Sequence, residues 1–343
     1  MRTRSIAKAL ALPALLVSSA VQPIAAQPAA DRINIYRYIL DVDPPESPGL
    51  VALDATPAHV LRGAAPKPIA AALVHRFTRT GWATGGAVDI VPYYLLGGGI
   101  RERASYRANS VAGRLMRVVT KTALSAALLA HPDAPGQWRG AIALRTTFHD
   151  PHDPIVNFRL PELVDSALAA NGIRETDPTV EDLADRPVDL KPIFAQARRA
   201  MRARGDVQVS AGWGVAGDLD GAALSSDSLT GVRHTLWLSA QHATGHRADI
   251  LFLAQMRNAF HRDDALRFGL GLQRKSRPAD FRAELYYDWA NRRLHPGLSA
   301  ELHAGPGWGA VLGLTSEAPA TSAKTPSRVS VTLLGRWYPT AER

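Results

Sequence analysis

The chain has 343 residues, enough for one large domain or two ordinary ones, and its formal net charge is +9. It contains no cysteine, which excludes disulfide bonds and thiolate metal sites. A basic balance favours anionic surroundings such as lipid headgroups, lipopolysaccharide or acidic solutes. Because no nucleic-acid-binding motif accompanies the charge, we do not expect nucleic acid as a partner.

The first 26 residues are typical of a secretory signal peptide. Arg2, Arg4 and Lys8 precede the apolar run 9–17, and small residues follow as far as Ala26. The apolar run is shorter than the roughly 20 residues that a membrane-spanning helix needs. Cleavage is expected near Ala26 or near Ala20. Removal of residues 1–26 leaves a charge of +6, and export predicts a protein of the cell envelope.

Residues 27–68 form a Pro- and Ala-rich lead-in, which we expect to lie in the periplasm. Six prolines between Pro44 and Pro68 disfavour most regular structure there. The next residues, 69–79, are compatible with a helix or with a first strand, because the period of the apolar residues does not separate the two.

The middle of the chain mixes strands and helices. Strands are predicted at 85–96, with Pro92 at an edge or bulge, at 119–130 and at 137–149. "RANSVAGRLMR" predicts a short helix between the first two of these. Residues 159–204 then form a helical insert, with one helix ending at Asn171-Gly172 and a basic helix over 192–204. The basic helix has either a solvated face or one that binds anionic headgroups.

From residue 205 onward, apolar and polar side chains alternate in a regular series of predicted strands, although Leu333-Leu334 blurs the alternation in the last one. The stretches that carry this period-two pattern include "DVQVSAGWGVAG", "RHTLWLSAQH", "LRFGLGLQR" and "FRAELYYDW". Each run is about ten residues long, which suits a tilted strand that spans a bilayer. The connecting segments alternate between short and long, as in an up-and-down meander. Pro296-Gly297 reads as a break in the pattern.

This pattern predicts an all-β fold, namely a closed antiparallel up-and-down transmembrane β-barrel of about 12 strands. A strand in hydrocarbon must pair every backbone N–H and C=O group, which only a closed sheet achieves. Trp289, Trp337 and Tyr338 lie where an interfacial aromatic girdle is expected. A soluble antiparallel sandwich would show the same alternation and stays open as an alternative.

The polar face of these strands is expected to line the lumen of the barrel. Its predicted members are Arg139, Arg145, Arg267, Arg282, Glu284, Asp288, Glu301, His303 and Arg336. Five of the nine are arginines, which would set ion selectivity through the charge of the ring they form.

The segments "PESPGLVALDATPAHVLRGAAPKPIAAAL" and "GGAVDIVPYYLLGGG", together with the later "LRTTF", resemble an uncharacterised family of exported bacterial outer-membrane β-barrel-like proteins. The likeness covers roughly residues 45–150. It implies an outer-membrane location in a Gram-negative bacterium, and it implies no catalytic residue.

Two clusters of side chains are candidates for chemistry. His149, Asp150, His152 and Asp153 combine imidazole and carboxylate ligands that could hold a divalent metal ion, although "HDPHDP" is also a turn sequence. His303 with Glu301 and Asp288 could act as an acid–base group near Ser299, or these residues could form cross-strand ion pairs.

The sequence therefore predicts a small or plugged pore or binding barrel with a basic lumen, for anionic solutes or lipid. The insert 159–204 could occlude the lumen or cap it on the periplasmic side. Two alternatives stay open: a structural membrane anchor or assembly partner acting through its periplasmic helices, and a barrel-embedded hydrolase that uses His303. No cofactor is predicted, and whether the chain is an enzyme is left undecided.

Overall fold

The computed structural model describes most of the chain from residue 46 onward. The described ranges are 46–61, 69–78, 81–95, 106, 108–131, 136–151, 153, 156, 160–172, 189, 192–193, 195–196, 200, 205–219, 229–244, 248–257, 265–276, 278–305, 308–319 and 328–337. The predicted signal peptide, the lead-in before residue 46, His152, Tyr338 and most of the basic helix 192–204 lie outside them.

Twelve antiparallel strands close into a single barrel, in which each strand pairs with its neighbours in sequence and β1 pairs with β12. The strands are β1 (Ile69–Thr78), β2 (Gly81–Ile90), β3 (Thr122–Ala130), β4 (Trp138–His149), β5 (Val207–Leu219), β6 (Leu229–Ala243), β7 (Ala248–Arg257), β8 (Ala265–Arg274), β9 (Ala279–Asp288), β10 (Arg293–Gly305), β11 (Trp308–Pro319) and β12 (Arg328–Trp337). The predicted fold class and the strand count are confirmed. The first segment, left open by the sequence, is a strand that closes the barrel.

The two faces of the wall differ as the alternation predicts. Outward side chains are large, apolar and exposed, as at Leu73 (64 % exposed) and Leu270 (52 % exposed). Inward side chains of the same strands are buried, and many are polar or charged, as at Gln273 and Arg267. An apolar outer surface on a closed sheet is the arrangement that hydrocarbon requires.

Two prolines behave differently from their predicted roles. Pro92 does not lie in a strand, because β2 ends at Ile90 and Pro92 begins a short helix. Pro296 does not break the pattern, since β10 runs through it and pairs it with Leu285 of β9. On the β11 side the ladder passes from Leu294 to Gly297, so proline stands at an interrupted point of that ladder.

Both Ile69, where β1 begins, and Trp337, where β12 finishes, lie at one end of the barrel, here called the C-terminal end. The strand order places three short connections at this end, which join β6 to β7, β8 to β9 and β10 to β11. The β4–β5 connection, which contains the helical insert, leaves from the same end.

Four helices accompany the barrel within the described residues. They are α1 (Pro48–Ala52), α2 (Pro92–Leu95), α3 (Val111–Thr120) and α4 (Leu160–Ala170). The short helix predicted before β3 and the first helix of the insert correspond to α3 and α4. None of the helices in the described part of the chain is long and apolar enough to cross a membrane.

Residues 46–61, which we call the plug segment, lie inside the barrel. Their partners belong to strands on all sides of the wall, including β2, β5, β8 and β11. Leu50, Ala55 and Val60 are fully buried there. The expectation of a periplasmic lead-in is therefore wrong for these residues. A proline-rich segment forms few hydrogen bonds within itself, and here the side chains of the wall provide its partners.

Candidate functional site: the plugged lumen

The plug segment begins with a helix of a single turn or little more. Ser47 occupies the N-cap position and Pro48 follows inside the first turn, where its fixed φ angle suits a helix start. The helix ends in a reversal: Ala55 N donates to Leu50 O (2.8 Å) and Asp54 N donates to Val51 O (3.1 Å). This pair of bonds is a Schellman motif, in which Asp54 takes the left-handed conformation with φ of 58°.

The start of the plug segment is bound to the wall near the C-terminal end. Ser47 Oγ donates to Asp89 Oδ1 (2.6 Å), and Gly49 N donates to Ser125 Oγ (2.9 Å). Ser125 Oγ also bonds to Asp89. A side chain at residue 49 would collide with Ser125 and Ala127, so glycine allows α1 to lie directly on β3.

The reversal brings Asp54 to three arginines at the opposite end of the wall, two of which face its carboxylate. Asp54 Oδ2 lies 2.7 Å from a guanidinium nitrogen of Arg257, and Asp54 Oδ1 lies 3.7 Å from one of Arg267. Arg76 donates to the backbone carbonyl oxygen of Asp54 (2.7 Å). Because Arg257 is the last residue of β7, the tip of the plug segment reaches close to that opening.

The returning half of the plug segment is held by one carboxylate of the wall. Glu284 accepts hydrogen bonds from the backbone N–H groups of His59 (2.8 Å) and Val60 (2.9 Å), one on each oxygen. The His59 ring stacks on Tyr286, with centroids 5.2 Å apart. The Arg267 guanidinium lies over the same tyrosine ring, 5.3 Å from its centroid.

A buried arginine joins both halves of the plug segment. Arg282 pairs with Glu46 at 3.0 Å and also donates to the carbonyl oxygen of Val60 at 2.9 Å. Both ends of the plug segment therefore lie near Arg282, close to the start of β9 and hence toward the C-terminal end. The segment forms a loop that enters and leaves the lumen at the same end, with Asp54 at its tip.

Glycines of the wall leave room for the plug segment. A Cβ atom at Gly313 would lie 2.3 Å from the carbonyl oxygen of Pro57, and one at Gly214 would lie 2.7 Å from the Cβ atom of Ala52. At Gly269 the collision would be with Val60. At three strands the plug segment therefore packs directly on the backbone of the wall.

The structure brings most of the predicted lumen residues together in ion pairs. Arg267, Arg282, Glu284, Asp288, Glu301 and Arg336 are buried on the inner wall. Arg267 pairs with Asp288 at 3.1 Å, and Arg336 pairs with Glu301 at 3.2 Å. Each of these arginines therefore has a carboxylate partner, and much of the positive charge of the wall is neutralised.

The remaining predicted residues are less closely connected. Arg139 pairs with Asp218 at 3.2 Å, and Arg145 is buried on the inner face of β4. His303 lies in β10, where its backbone pairs with Gly309 of β11. The side chain of His303 lies outside the described part. A small cavity, with room for about one water molecule, lies between the plug segment and the wall beside Ser299, Glu301 and Arg336.

The acidic residues of the predicted metal site hold a lysine instead. Lys121 Nζ lies 2.8 Å from Asp150 and 2.6 Å from Asp153, and Tyr106 donates its hydroxyl to Asp153 (2.6 Å). Burial acts to lower the pKa of Lys121, but the two carboxylates raise that pKa above its ordinary value. In the ranges that the structure covers, no three His, Asp or Glu side chains gather as a metal-binding group.

Sequence reasoning missed the residues that bind the plug segment: Glu46, Ser47 and Asp54 on the segment, and Arg76, Asp89 and Arg257 on the wall. One local signal was present. Ser47-Pro48 is a typical start of a helix, and the apolar residues Leu50, Val51 and Leu53 that follow are unusual for a solvated linker.

Comparison with known proteins found similar solved structures but no matching sequence family. No protein-family model matches it, and no curated protein matches it. Among solved structures it is similar to the KdgM porin in complex with disordered oligogalacturonate, with a TM-score of 0.44 at 5 % identity, over 79 % of this chain and 99 % of that chain. It is also similar to the NanC porin (TM-score 0.39, 8 % identity, 79 % and 100 % covered). A third similar structure is the outer membrane protein Omp33 of Acinetobacter baumannii (TM-score 0.38, 8 % identity, 79 % and 97 % covered). With scores and identities this low, no residue role is transferred from them.

Proposed function

We propose that this chain is an outer-membrane pore for small anionic solutes whose lumen is closed by its own plug segment. After removal of the signal peptide, the apolar belt would face the lipid, including lipopolysaccharide in the outer leaflet. The observation that carries the proposal is the pairing of Glu46 and Asp54, both on the plug segment, with Arg282, Arg257 and Arg267 of the wall.

The charges of the plug segment occupy the places that an anionic solute would take. Removing the segment would leave Arg282 and Arg257 without these carboxylates, and a buried charge without a partner is costly. An anion entering the lumen would restore a partner to each guanidinium. Ring charge of this kind favours anions over cations in a pore.

The path of the plug segment would also allow the segment to leave the lumen. Because the segment enters and leaves at the C-terminal end, it can withdraw there without threading through the barrel. The wall binds the segment through side chains such as Glu284 and Arg282 rather than through its backbone. The backbone hydrogen bonds between the strands therefore close the barrel without the segment.

The test is conductance of the full chain in planar bilayers. Glu46→Gln with Asp54→Asn removes both plug carboxylates while leaving the wall unchanged. We expect a higher open probability than in the unaltered protein, with anions carrying most of the current. Adding Arg267→Glu and Arg282→Glu to this loosened variant should reverse the ion preference.

A disulfide lock provides the matched control, since the chain has no cysteine of its own. A Cβ atom at Gly271 would lie 3.5 Å from the Cβ atom of Val60, within the range of about 3.5–4.5 Å that a disulfide needs. Val60→Cys with Gly271→Cys in the loosened variant should close the pore when oxidised and reopen it when reduced. If the loosened variant conducts no more than the unaltered barrel, the plug is permanent and the chain is a structural barrel rather than a pore.

A further inference from the structure

Helix α3 lies against the outside of the barrel wall, at the C-terminal end. The carbonyl oxygen of Val118, near the end of the helix, accepts hydrogen bonds from the hydroxyls of Thr122 (2.8 Å) and Thr146 (3.2 Å). These two threonines are partners across β3 and β4. Their positions alternate with the inward residues Ser125 and Arg145, so both threonines face away from the lumen.

The exposed face of α3 is its apolar face. Val111 is 84 % exposed and Leu115 is 61 % exposed, and Val119 continues the same stripe at helical spacing. The residues that α3 buries are small or polar, namely Gly113 and Thr120. A helix on the surface of a water-soluble protein would bury its apolar stripe and expose its polar side, so the orientation of α3 is the reverse of what water selects.

Two features indicate that phospholipid covers this stripe. The stripe is continuous with the lipid-facing belt, because the helix ends two residues before β3 and the neighbouring strand carries the exposed, outward Phe148. On the flank of the stripe, Arg114 is exposed, with one guanidinium nitrogen bonded only locally, to Asn109 (3.1 Å). Arginine beside an apolar stripe is the composition of helices that lie in the headgroup region of a membrane.

We infer that α3 is an interfacial helix that binds the phospholipid leaflet at the C-terminal end of the barrel, with Val111, Leu115 and Val119 among the acyl chains and Arg114 at the headgroup phosphates. The barrel thereby gains a lipid contact outside its strands. The ion pairs of Lys121, directly after α3, hold the end of the helix in this place.

Single cysteines carrying a nitroxide label test this contact in vesicles of phosphatidylcholine. Leu115→Cys is the test position, Leu270→Cys on the lipid belt is the apolar reference, and Ser166→Cys on the exposed side of α4 is the aqueous reference. We expect the label at 115 to collide with oxygen, which concentrates in lipid, several-fold more than with a water-soluble nickel complex, as at 270. A circular-dichroism spectrum equal to that of the unaltered barrel verifies folding, and Val111→Cys replaces Leu115→Cys if that variant fails to fold.

Other patterns would overturn the inference. A label at 115 that meets the nickel complex as freely as the label at 166 shows a face in water, and one shielded from both reagents shows a face covered by protein. The headgroup contact has its own measurement. Adding phosphatidylglycerol should draw the label at 115 deeper, and Arg114→Glu should abolish that change; a change that persists in Arg114→Glu rules out the arginine–phosphate contact.

Discussion

At the scale of residues, the lumen is organised by the need of buried charges for partners. Wall and plug segment supply these partners to each other: the wall provides Glu284 for two backbone N–H groups, and the segment provides Glu46 for Arg282. Burying a charge without such a partner costs several kcal/mol. The pairing therefore specifies one position of the plug segment rather than a range of loosely packed ones.

Replacing Glu284 with glutamine tests how strongly a single carboxylate holds the returning half of the plug segment. Glutamine keeps the shape but offers one acceptor, so the N–H of either His59 or Val60 would face an amide donor. Loss of one charge-assisted bond costs about 2 kcal/mol, which corresponds to about 30-fold more frequent opening. Amide hydrogen exchange at residues 59 and 60 measures this change.

Asp218→Asn is the matched control for that substitution. It removes a carboxylate from the inner wall that pairs with Arg139 and Arg233, two other wall residues. Exchange at residues 59 and 60 should then stay at the level of the unaltered protein. Equal exchange in the two variants would mean that Glu284 does not hold the plug segment.

The sequence predicted the charged inner face but not its pairing. Arg267 and Arg282 stand out because each occupies a polar position in a run of alternating apolar and polar residues; the same pattern, blurred by Leu333-Leu334, indicated Arg336. Arg76 was missed because its segment is compatible with a helix or a strand. The partners of these arginines are far away in sequence, as for Arg282 and Glu46, 236 positions apart, and one sequence carries no signal for such a contact.

At the scale of elements, the strands were predictable and the plug segment was not. In a strand between lipid and lumen, successive side chains face the two environments in turn, so apolar and polar residues alternate in the sequence. The plug segment is buried on all sides, so it shows no such period, and its five-residue helix is too short to show a helical one. Its prolines resemble those of a linker, and only the wall around it determines its conformation.

Two glycines of β11 separate the effect of a tight fit from the effect of any substitution on this strand. Gly313→Ala places a Cβ atom 2.3 Å from the carbonyl oxygen of Pro57, whereas the nearest atom to a Cβ at Gly309 is Glu301 Oε1, at 3.6 Å. Both residues face the lumen, four positions apart. We expect Gly313→Ala to displace the plug segment and raise conductance in planar bilayers, while Gly309→Ala leaves it unchanged. Identical traces from both variants would show that the segment does not depend on this contact.

At the scale of the whole molecule, closure of the sheet fixes which connections share an end of the barrel. With twelve strands, an even number, both ends of the sheet lie on one side, together with the insert between β4 and β5. The position of the insert on this side follows from the number of strands between the insert and residue 337. The sequence left open whether the insert occludes the lumen, and it did not predict that the segment before β1 lies there.

The short connections at the C-terminal end lead to a prediction about the orientation of the barrel in the cell. Three connections at this end are short, and periplasmic turns of such barrels are the short ones. Asn291, exposed in the turn between β9 and β10, lies at the opposite end, whereas Ser166, exposed on α4, belongs to a connection at the C-terminal end. In a chain without native cysteines, Asn291→Cys should react with a membrane-impermeant maleimide on intact cells. Ser166→Cys should react only after the outer membrane is permeabilised. The reverse pattern would place the C-terminal end, and with it helix α3, at the cell surface.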